Sequence, residues 1–586
     1  MRYYLGIANS FHDSALAIVD PQGKLLFAEG TERYLQNKRA VNNSPDQFHR
    51  MEQILAEHVP PGAELVVAHS WSDQPAIGQL ERDAFANLES SLSDLPEEAT
   101  PQSLLDLVTL SKLCDESFAA YTKLTGINLR YGLSQMPMDQ RLKIAQLRKF
   151  NHHSTHAATA CYSSPFSQAA CAVLDGYGER TANSSFVFRN NQLTLLPGQE
   201  QGLGMNFSSL GSFYMTLCKL CGFALFNGEE WKMMGLAAYG KLDPEIYALL
   251  KPLVMVDGLN IRQEDYRKSF LLYQELEKYR HRPGQPYLEM ADVAFTAQQV
   301  FSEAVFSYLT NLHELTGMDA VVLGGGCFLN SSTNGQIIDN TPFKQAYLFS
   351  APGDDGNAAG AAWLAYYQDH PEAQHSHGFQ SPYLGSKIDP KQLKKLRNYG
   401  PPGKVREAKG EVSYIAAERL AEGKIIGWMQ GRAEFGPRAL GNRSILADPR
   451  SAEVKERIND QVKFREAFRP FAPSILHEHG AEYFEGYQET PYMERTLRFR
   501  ASVRDKVPGV VHVDGTGRLQ SVTRAWNPRY YDLIAAFYEI TGIPLVLNTS
   551  FNVMGKPIIH SLEDALAVFY TSGLDLLIIG DTIIEK

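Results

Sequence analysis

Cysteine is scarce: six among 586 residues, too few for a disulfide framework and suited to a reducing cytosol. No apolar run is long enough to span a bilayer. The opening stretch, MRYYLGIANSFHDSALAIVD, is broken by His12 and Asp13 and has no small-residue cleavage site, so it does not read as a signal peptide. The expected location is the cytoplasm, with no membrane partner. Positive charge is also short, with 56 Lys and Arg against 66 Asp and Glu and a formal net charge of -10. That balance excludes a non-specific nucleic-acid binder. Low-complexity runs are missing although Gly (46) and Pro (30) are plentiful, which argues against long disorder. What remains is an ordinary globular composition, 44% hydrophobic and 21% charged, in a chain too long for one core. Two domains are expected, or three.

YYLGIANS, SALAIVD and KLLFAEG are short apolar, β-prone runs, the last two joined by the turn DPQGK, and together they read as a β-meander. The plan returns in AACAVLDGYGERTANSSFVFRNNQLTLLP, so a unit has been duplicated. DVAFTAQQVFSEAVFSYLTNLHELTG has apolar residues at spacings of three and four and a closing glycine, the pattern of a long helix. DAVVLGGGCFLNSSTNGQI then gives a buried strand, a triple glycine and a helix start. Two meanders facing a glycine-rich strand-to-helix turn describe an α/β fold of the actin, Hsp70 and sugar-kinase kind, with a ligand between its halves. A composition shift near residues 368–390 marks a linker, and IPLVLNTSFN and LDLLIIGD supply buried strands for a second α/β domain.

NHHSTHAATA places His152 and His156 four apart, on one face of a helix and able to share a cation. A histidine-rich helix start without chemistry is the other reading. A zincin would need Glu beside the first histidine, and His153 is there instead. Two histidines with carboxylates suit Fe(II) or a related divalent ion; Asp175 and either Asp354 or Asp355, all after apolar strands, are the candidate carboxylates. The LGGGCFLN turn can bring backbone amides to a phosphate, although it is neither a P-loop nor G-x-G-x-x-G. His12 and Asp13 sit in a turn where one could serve as general base. Lys232, Glu229 and Glu230 are solvated charges or cleft residues. Cys218 and Cys221 form a C-x-x-C within an apolar segment and without a second Cys/His pair, so packing is expected of them. The second domain gathers Arg432, Arg438, Arg443, Lys463, Arg465, Arg469 and Arg518 among Gly and Pro turns, an arrangement for bidentate phosphate or carboxylate contacts or for a surface ion-pair network. Asn548, Thr549, Ser550 and Asn552 follow a buried strand, where α/β sheets bind ligands.

FHDSALA, NHHSTHAATA, VLDGYGE, EEWKMMGLAAYG, GGGCFLN, GRAEFGPRALGNRS, FREAFRPFAPS, VDGTGRLQSV and LNTSFNVMGKPI, in this order over almost the whole chain, resemble the O-carbamoyltransferases of antibiotic, nodulation-factor and toxin biosynthesis. The resemblance implies a Kae1-like transfer domain over 1–370, a linker over 371–395 and a YrdC-like domain over 396–586. It implies that His152, His156, Asp175 and Asp354 hold iron(II) or another divalent metal. By the same resemblance the second domain would make carbamoyl-adenylate from carbamoyl phosphate and ATP with Mg(II), using Arg432, Arg438, Lys463, Arg465, Arg469, Arg518, Asn548, Thr549 and Ser550. Gly176, Gly324, Gly325, Gly326, Asn330 and Asp355 would receive that intermediate in the first domain, where His12, Asp13 and Lys232 would be catalytic. Glu32, Arg33, Glu229 and Glu230 would meet the acceptor. The family often carries an acidic run before this arginine; AEGTERYLQNKRA keeps Glu32 and Arg33 with altered neighbours.

The expected partners are ATP, carbamoyl phosphate and a small-molecule acceptor, for which a saxitoxin-type guanidinium alkaloid is one candidate; a homodimer is compatible with all of this. A tRNA threonylcarbamoyl-adenosine-type enzyme is the first rival, and the acidic chain without a basic stripe argues against it. A non-catalytic, nucleotide-gated binding protein is the second, and it gives the arginine cluster no task.

Overall fold

In the computed structural model, residues 1–72, 120, 123–179, 181–197, 209–224, 227–263, 266–375, 378–399, 405–466 and 468–586 are described; Cys114 lies outside them. The first meander becomes β1 (Arg2–Ala8), β2 (Ala15–Val19) and β3 (Leu25–Gly30), whose apolar residues are buried on both faces. β4 (Glu64–His69) and β5 (Lys143–Lys149) complete a sheet of order β3-β2-β1-β4-β5. The second meander gives β6 (Gln168–Leu174), β7 (Asn183–Arg189) and β8 (Gln192–Leu195). After a separate hairpin, β9 (Met255–Asp257) and β10 (Asn260–Arg262), the chain adds β11 (Ala320–Gly324) and β12 (Gln345–Leu348). The second sheet has the order β8-β7-β6-β11-β12. In each sheet the meander neighbours are antiparallel and the two added strands are parallel. The two sheets therefore repeat one plan, the duplicated architecture of the actin and sugar-kinase fold.

The repeat extends to the helices that carry the site. α1 (His152–Tyr162) follows β5, and a later helix, Asn357–Asp369, follows β12 in the equivalent place. They touch backbone to backbone: a Cβ on Gly360 would lie 2.0 Å from the Thr155 carbonyl oxygen. Between them come α2 (Glu230–Ala237) and α3 (Ala291–Thr316), the long helix read from the sequence; α4 is the helix Asn357–Asp369. Gly317 closes α3 in the left-handed conformation, its amide donating to His313 O at 2.7 Å. Cys218 and Cys221 are buried, and burial raises both thiols, Cys221 to about 12, as packing residues would show.

The chain divides into two units. The first holds Met1–Thr31, Arg39–Leu329 and Ile337–Gln380, and the second holds Ser381–Lys586 together with Glu32–Lys38 and Asn330–Gln336. Three expectations change here. Residues 381–395, read as linker, already belong to the second unit, where Gly385 N donates to Ala433 O and Ala433 N to Ser386 O, both at 2.9 Å. Asn330, placed by sequence in the first domain, sits in a segment held by the second: Asn334 Nδ2 donates to Glu494 O and Thr496 Oγ1 to Ser331 Oγ, both at 3.0 Å. Glu32 and Arg33 go with the second unit as well, Arg33 Nη2 donating to Gly436 O at 2.6 Å. Among the described residues that unit carries a nine-stranded mixed sheet. Its centre runs Ile426–Met429, Arg443–Ala447, Leu545–Ser550, Ala472–Leu476, and the apolar core forms around Trp428. Among the described residues no helix is long and apolar enough to cross a membrane.

Candidate functional site

Asn151 starts α1 by accepting from Ser154 N at 3.1 Å, and the buried Glu179 carboxylate then fixes the first turn. Glu179 accepts from His152 N at 3.1 Å, Ser72 N at 2.7 Å and Asn151 Nδ2 at 3.2 Å. With the helix so fixed, His152 and His156 turn inward at the expected four-residue spacing. Their Nε2 atoms are 3.2 Å apart. Asp175, at the end of β6, and Asp354, after β12, close the group. Asp175 Oδ2 is 3.3 Å from His152 Nε2 and 3.4 Å from His156 Nε2; Asp354 Oδ1 is 3.6 and 3.4 Å from the same atoms. All four ligand atoms lie within 4.8 Å of one another. Nitrogen and oxygen ligands about 2.0 to 2.2 Å from a divalent ion stand about 3 to 3.6 Å from their neighbours, so the spacings fit one cation.

Burial opposes charge on His152, yet Asp354 and Asp175 raise it to about 10; His156 is raised by the same carboxylates against the same burial. Burial pushes Asp175 and Asp354 up, but the two histidines hold both well below the usual carboxylate range. His153 faces away, with Nδ1 2.8 Å from Ser184 Oγ, and burial lowers it to about 3. The triple glycine serves this cluster directly. Gly326 N donates to Asp175 Oδ1 at 3.0 Å and Gly325 N to Pro352 O at 2.8 Å, so both amides are engaged within the protein rather than open to a phosphate. Gly325 has φ +97°, and a Cβ there would lie 2.2 Å from Leu174 O. Asp355, the open alternative to Asp354, turns to the backbone, its Oδ1 accepting from Gly356 N at 3.0 Å.

The β1–β2 turn brings His12 beside the cluster, Nδ1 3.8 Å from Asp354 Oδ2 and 3.0 Å from Asp13 Oδ2. Arg39, which the sequence did not single out, locks this turn. Its Nε donates to Asp13 Oδ2 at 2.9 Å, its Nη2 lies 3.1 Å from His12 Nδ1, and its Nη1 reaches Glu230 Oε1 at 3.5 Å. Burial raises the Asp13 pKa, but Arg39 and His12 outweigh it and lower it. Lys232 is buried in α2 and paired with Glu229 Oε1 at 2.6 Å, while Glu229 Oε2 accepts from Ala224 N at 2.9 Å.

In the second unit the arginines divide into two groups. Arg432 donates to Gly385 O at 3.0 Å and to Leu384 O, and Arg443 donates to Gln430 O at 2.6 Å and Ser386 O at 3.1 Å. Both are occupied by carbonyls and hold the loop, which corrects the reading of Arg432 as a phosphate ligand. Glu434 pins the same loop by accepting from Leu440, Asn442 and Arg443 amides at 2.7, 2.8 and 3.1 Å. The rest stay cationic and crowded. Lys463 Nζ donates to Ser550 O and to Asn552 Oδ1 at 2.6 Å, and burial, Arg465 and Arg469 together depress it well below the usual lysine range. Arg465 lies over the Phe471 ring at 4.5 Å with Nε on Asn459 Oδ1 at 2.8 Å; burial and then Arg469 lower it to about 9. Arg465 Nη2 and Arg518 Nε are buried without a hydrogen-bond partner. Arg469 pairs with Glu466 at 2.5 Å, and burial lowers Arg438 to about 10 against Glu494. Asn548 lies inside the sheet, Nδ2 2.9 Å from Ser474 Oγ. Buried like charges of this kind await an anion.

Residues 3–363 match the carbamoyltransferase N-terminus and residues 417–586 the carbamoyltransferase C-terminus. The chain belongs to the carbamoyltransferase family. It is 33% identical over 592 residues to the nodulation protein NolNO of Sinorhizobium fredii, covering 99% of this chain and 80% of that one. It is 35% identical over 443 residues to the nodulation protein NolO of Bradyrhizobium diazoefficiens, covering 74% and 79%. Among solved structures, HypF of T. kodakarensis aligns over 65% of this chain and 49% of its own, with 12% identity and a TM-score of 0.35.

Three groups in this carbamoyltransferase escaped the sequence reading. Arg39 lies in NKRAVNN, whose left-handed turn gives no apolar or spacing signal. Asn357, at the start of α4, puts Nδ2 3.0 Å from His156 Nε2. Trp71 lays its ring 4.5 Å from that of His152 at 30°; it follows the apolar β4, the one hint that it faces the site.

Proposed function

We propose that this carbamoyltransferase moves a carbamoyl group from carbamoyl phosphate, through carbamoyl-adenylate made with ATP and Mg(II), to a hydroxyl of a small natural product. The observation that carries the reading is the cluster of His152, His156, Asp175 and Asp354 with His12 at its edge, in a chain of this family. Arg465, Arg469, Arg518 and Lys463 would hold the phosphates of the first half-reaction, which releases phosphate and pyrophosphate. In the second, a bond forms from the acceptor oxygen to the carbamoyl carbon, the bond from that carbon to the AMP oxygen breaks, and AMP leaves. His12, oriented by Asp13, takes the hydroxyl proton. The four-ligand cluster would hold iron(II) or another divalent ion, which polarises a carbonyl as a Lewis acid. The cytoplasm is the proposed location, and saxitoxin-type guanidinium alkaloids are one acceptor class to test. The experiment incubates enzyme, ATP and carbamoyl phosphate with candidate alcohols and follows pyrophosphate release and, by mass spectrometry, one added carbamoyl group. Carbamoyl-phosphate-dependent pyrophosphate release that never occurs would overturn the reading.

A further inference from the structure

We infer that Arg39 makes the transfer site selective for an uncharged alcohol, an inference that rests on transfer taking place at the His12 edge of the metal-ligating cluster. The cluster is closed on its own side: the side chains of His152 and Asp175 are 1% and 9% exposed, and Asp354 is 10% exposed. The open groups beside it are His12, Asp13, Arg39 and Glu230, at 27%, 26%, 17% and 34%. A hydroxyl attacking a carbamoyl carbon next to Asp354 and His12 therefore approaches past these four.

An acceptor that carries an ammonium or guanidinium needs carboxylates there, and those present already have cations. Asp13 Oδ2 takes Arg39 Nη2 at 2.8 Å, and Glu230 Oε1 is 3.5 Å from Arg39 Nη1. Glu229 is held by Lys232 at 2.6 Å, and Asp175 and Asp354 face the two histidines. Arg39 cannot move aside cheaply. Its carbonyl accepts from Asp13 N at 2.6 Å, and both residues hold the left-handed conformation, φ +59° and +55°, so the contact is fixed through backbone as well as side chain. Nor can it lose its proton, since a guanidinium stays charged at any physiological pH. A cationic acceptor would meet this fixed charge, while a neutral polyol meets balanced ion pairs.

The test compares kcat/KM for matched pairs of alcohols, neutral glycosides and their amino- or guanidino-substituted counterparts, at fixed ATP and carbamoyl phosphate with metal-loaded enzyme. Wild type should favour the neutral member by about tenfold, the scale of one like charge at a partly exposed site. Arg39→Gln leaves Asp13 and Glu230 without their cation and should move that ratio about tenfold toward the charged member. Arg39→Lys should keep the wild-type preference. Faster carbamoylation of the charged member by wild type, or an unchanged ratio in Arg39→Gln, overturns this inference alone. No carbamoylated product from any alcohol overturns the proposed activity and this inference with it. Should Arg39→Gln fail to fold, the wild-type ratio and Arg39→Lys decide the matter.

Discussion

Replacing Arg465 by methionine removes one cation from a group in which charge is already costly. Burial and Arg469 lower the Arg465 pKa from 12.5 to about 9, and at about 1.4 kcal/mol per unit the charged state in the fold costs up to about 5 kcal/mol. For a base whose pKa is depressed by folding, this cost is present in full below the folded value and fades only as pH rises from about 9. At pH 7.5 wild type therefore carries all of it. Methionine keeps the contact with the Phe471 ring but deprives Asn459 Oδ1 of its donor at 2.8 Å, a loss of about 1 to 3 kcal/mol. The ligand-free variant should come out more stable by about 1 to 3 kcal/mol. Anion binding should change in the opposite sense. Pyrophosphate at a hundred times its dissociation constant stabilises wild type by about 2.7 kcal/mol, and the variant should lose most of that gain. Thermal melts of the full protein at pH 7.5, with and without pyrophosphate, read both effects. A variant less stable without ligand yet equally stabilised by pyrophosphate would show that the cluster is a structural ion-pair network, and the phosphate assignment would fall.

The strands and the metal ligands were legible because they follow local rules. A β-meander announces itself by apolar runs and turn residues, and its repetition 160-odd positions on exposed the duplication. His152 and His156 share a face because a helix repeats near every fourth residue. The choice between Asp354 and Asp355 was not legible. Adjacent residues in a turn point apart, and only the fold shows Asp354 facing the histidines while Asp355 accepts from Gly356 N. Arg432 was misread for a related reason: a guanidinium among glycines suits either an anion or converging carbonyls, and here Leu384 and Gly385, nearly fifty residues earlier, supply the carbonyls. The transfer of residues 32–38 and 330–336 to the second unit also rests on long-range contacts without any periodic signal. Arg39 combines both difficulties, since its role depends on a left-handed turn and on Asp13 far upstream.

Metal analysis should find about one divalent ion per chain in wild type and much less in His152→Ala and His156→Ala; equal content in all three would remove the ligand assignment. His12→Ala should slow carbamoyl transfer by about 10²- to 10⁴-fold while pyrophosphate release without acceptor persists, and parallel loss of both would take His12 out of the transfer step. Asp46 tests the electrostatics of the first unit. It is fully buried before the helix Phe48–His58, and burial raises it from 3.8 to about 6 against hydrogen bonds from Ser44 and Asn128. Because the folded state holds this proton more tightly, wild-type stability should fall as pH rises from about 4 to about 6 and then level off. Asp46→Asn has no such proton, so its stability relative to wild type should climb by up to about 3 kcal/mol over the same interval. Melts of both proteins at pH 4.5 and 8 measure that climb; a difference independent of pH would mean that Asp46 ionises in the fold as readily as it does in the unfolded chain.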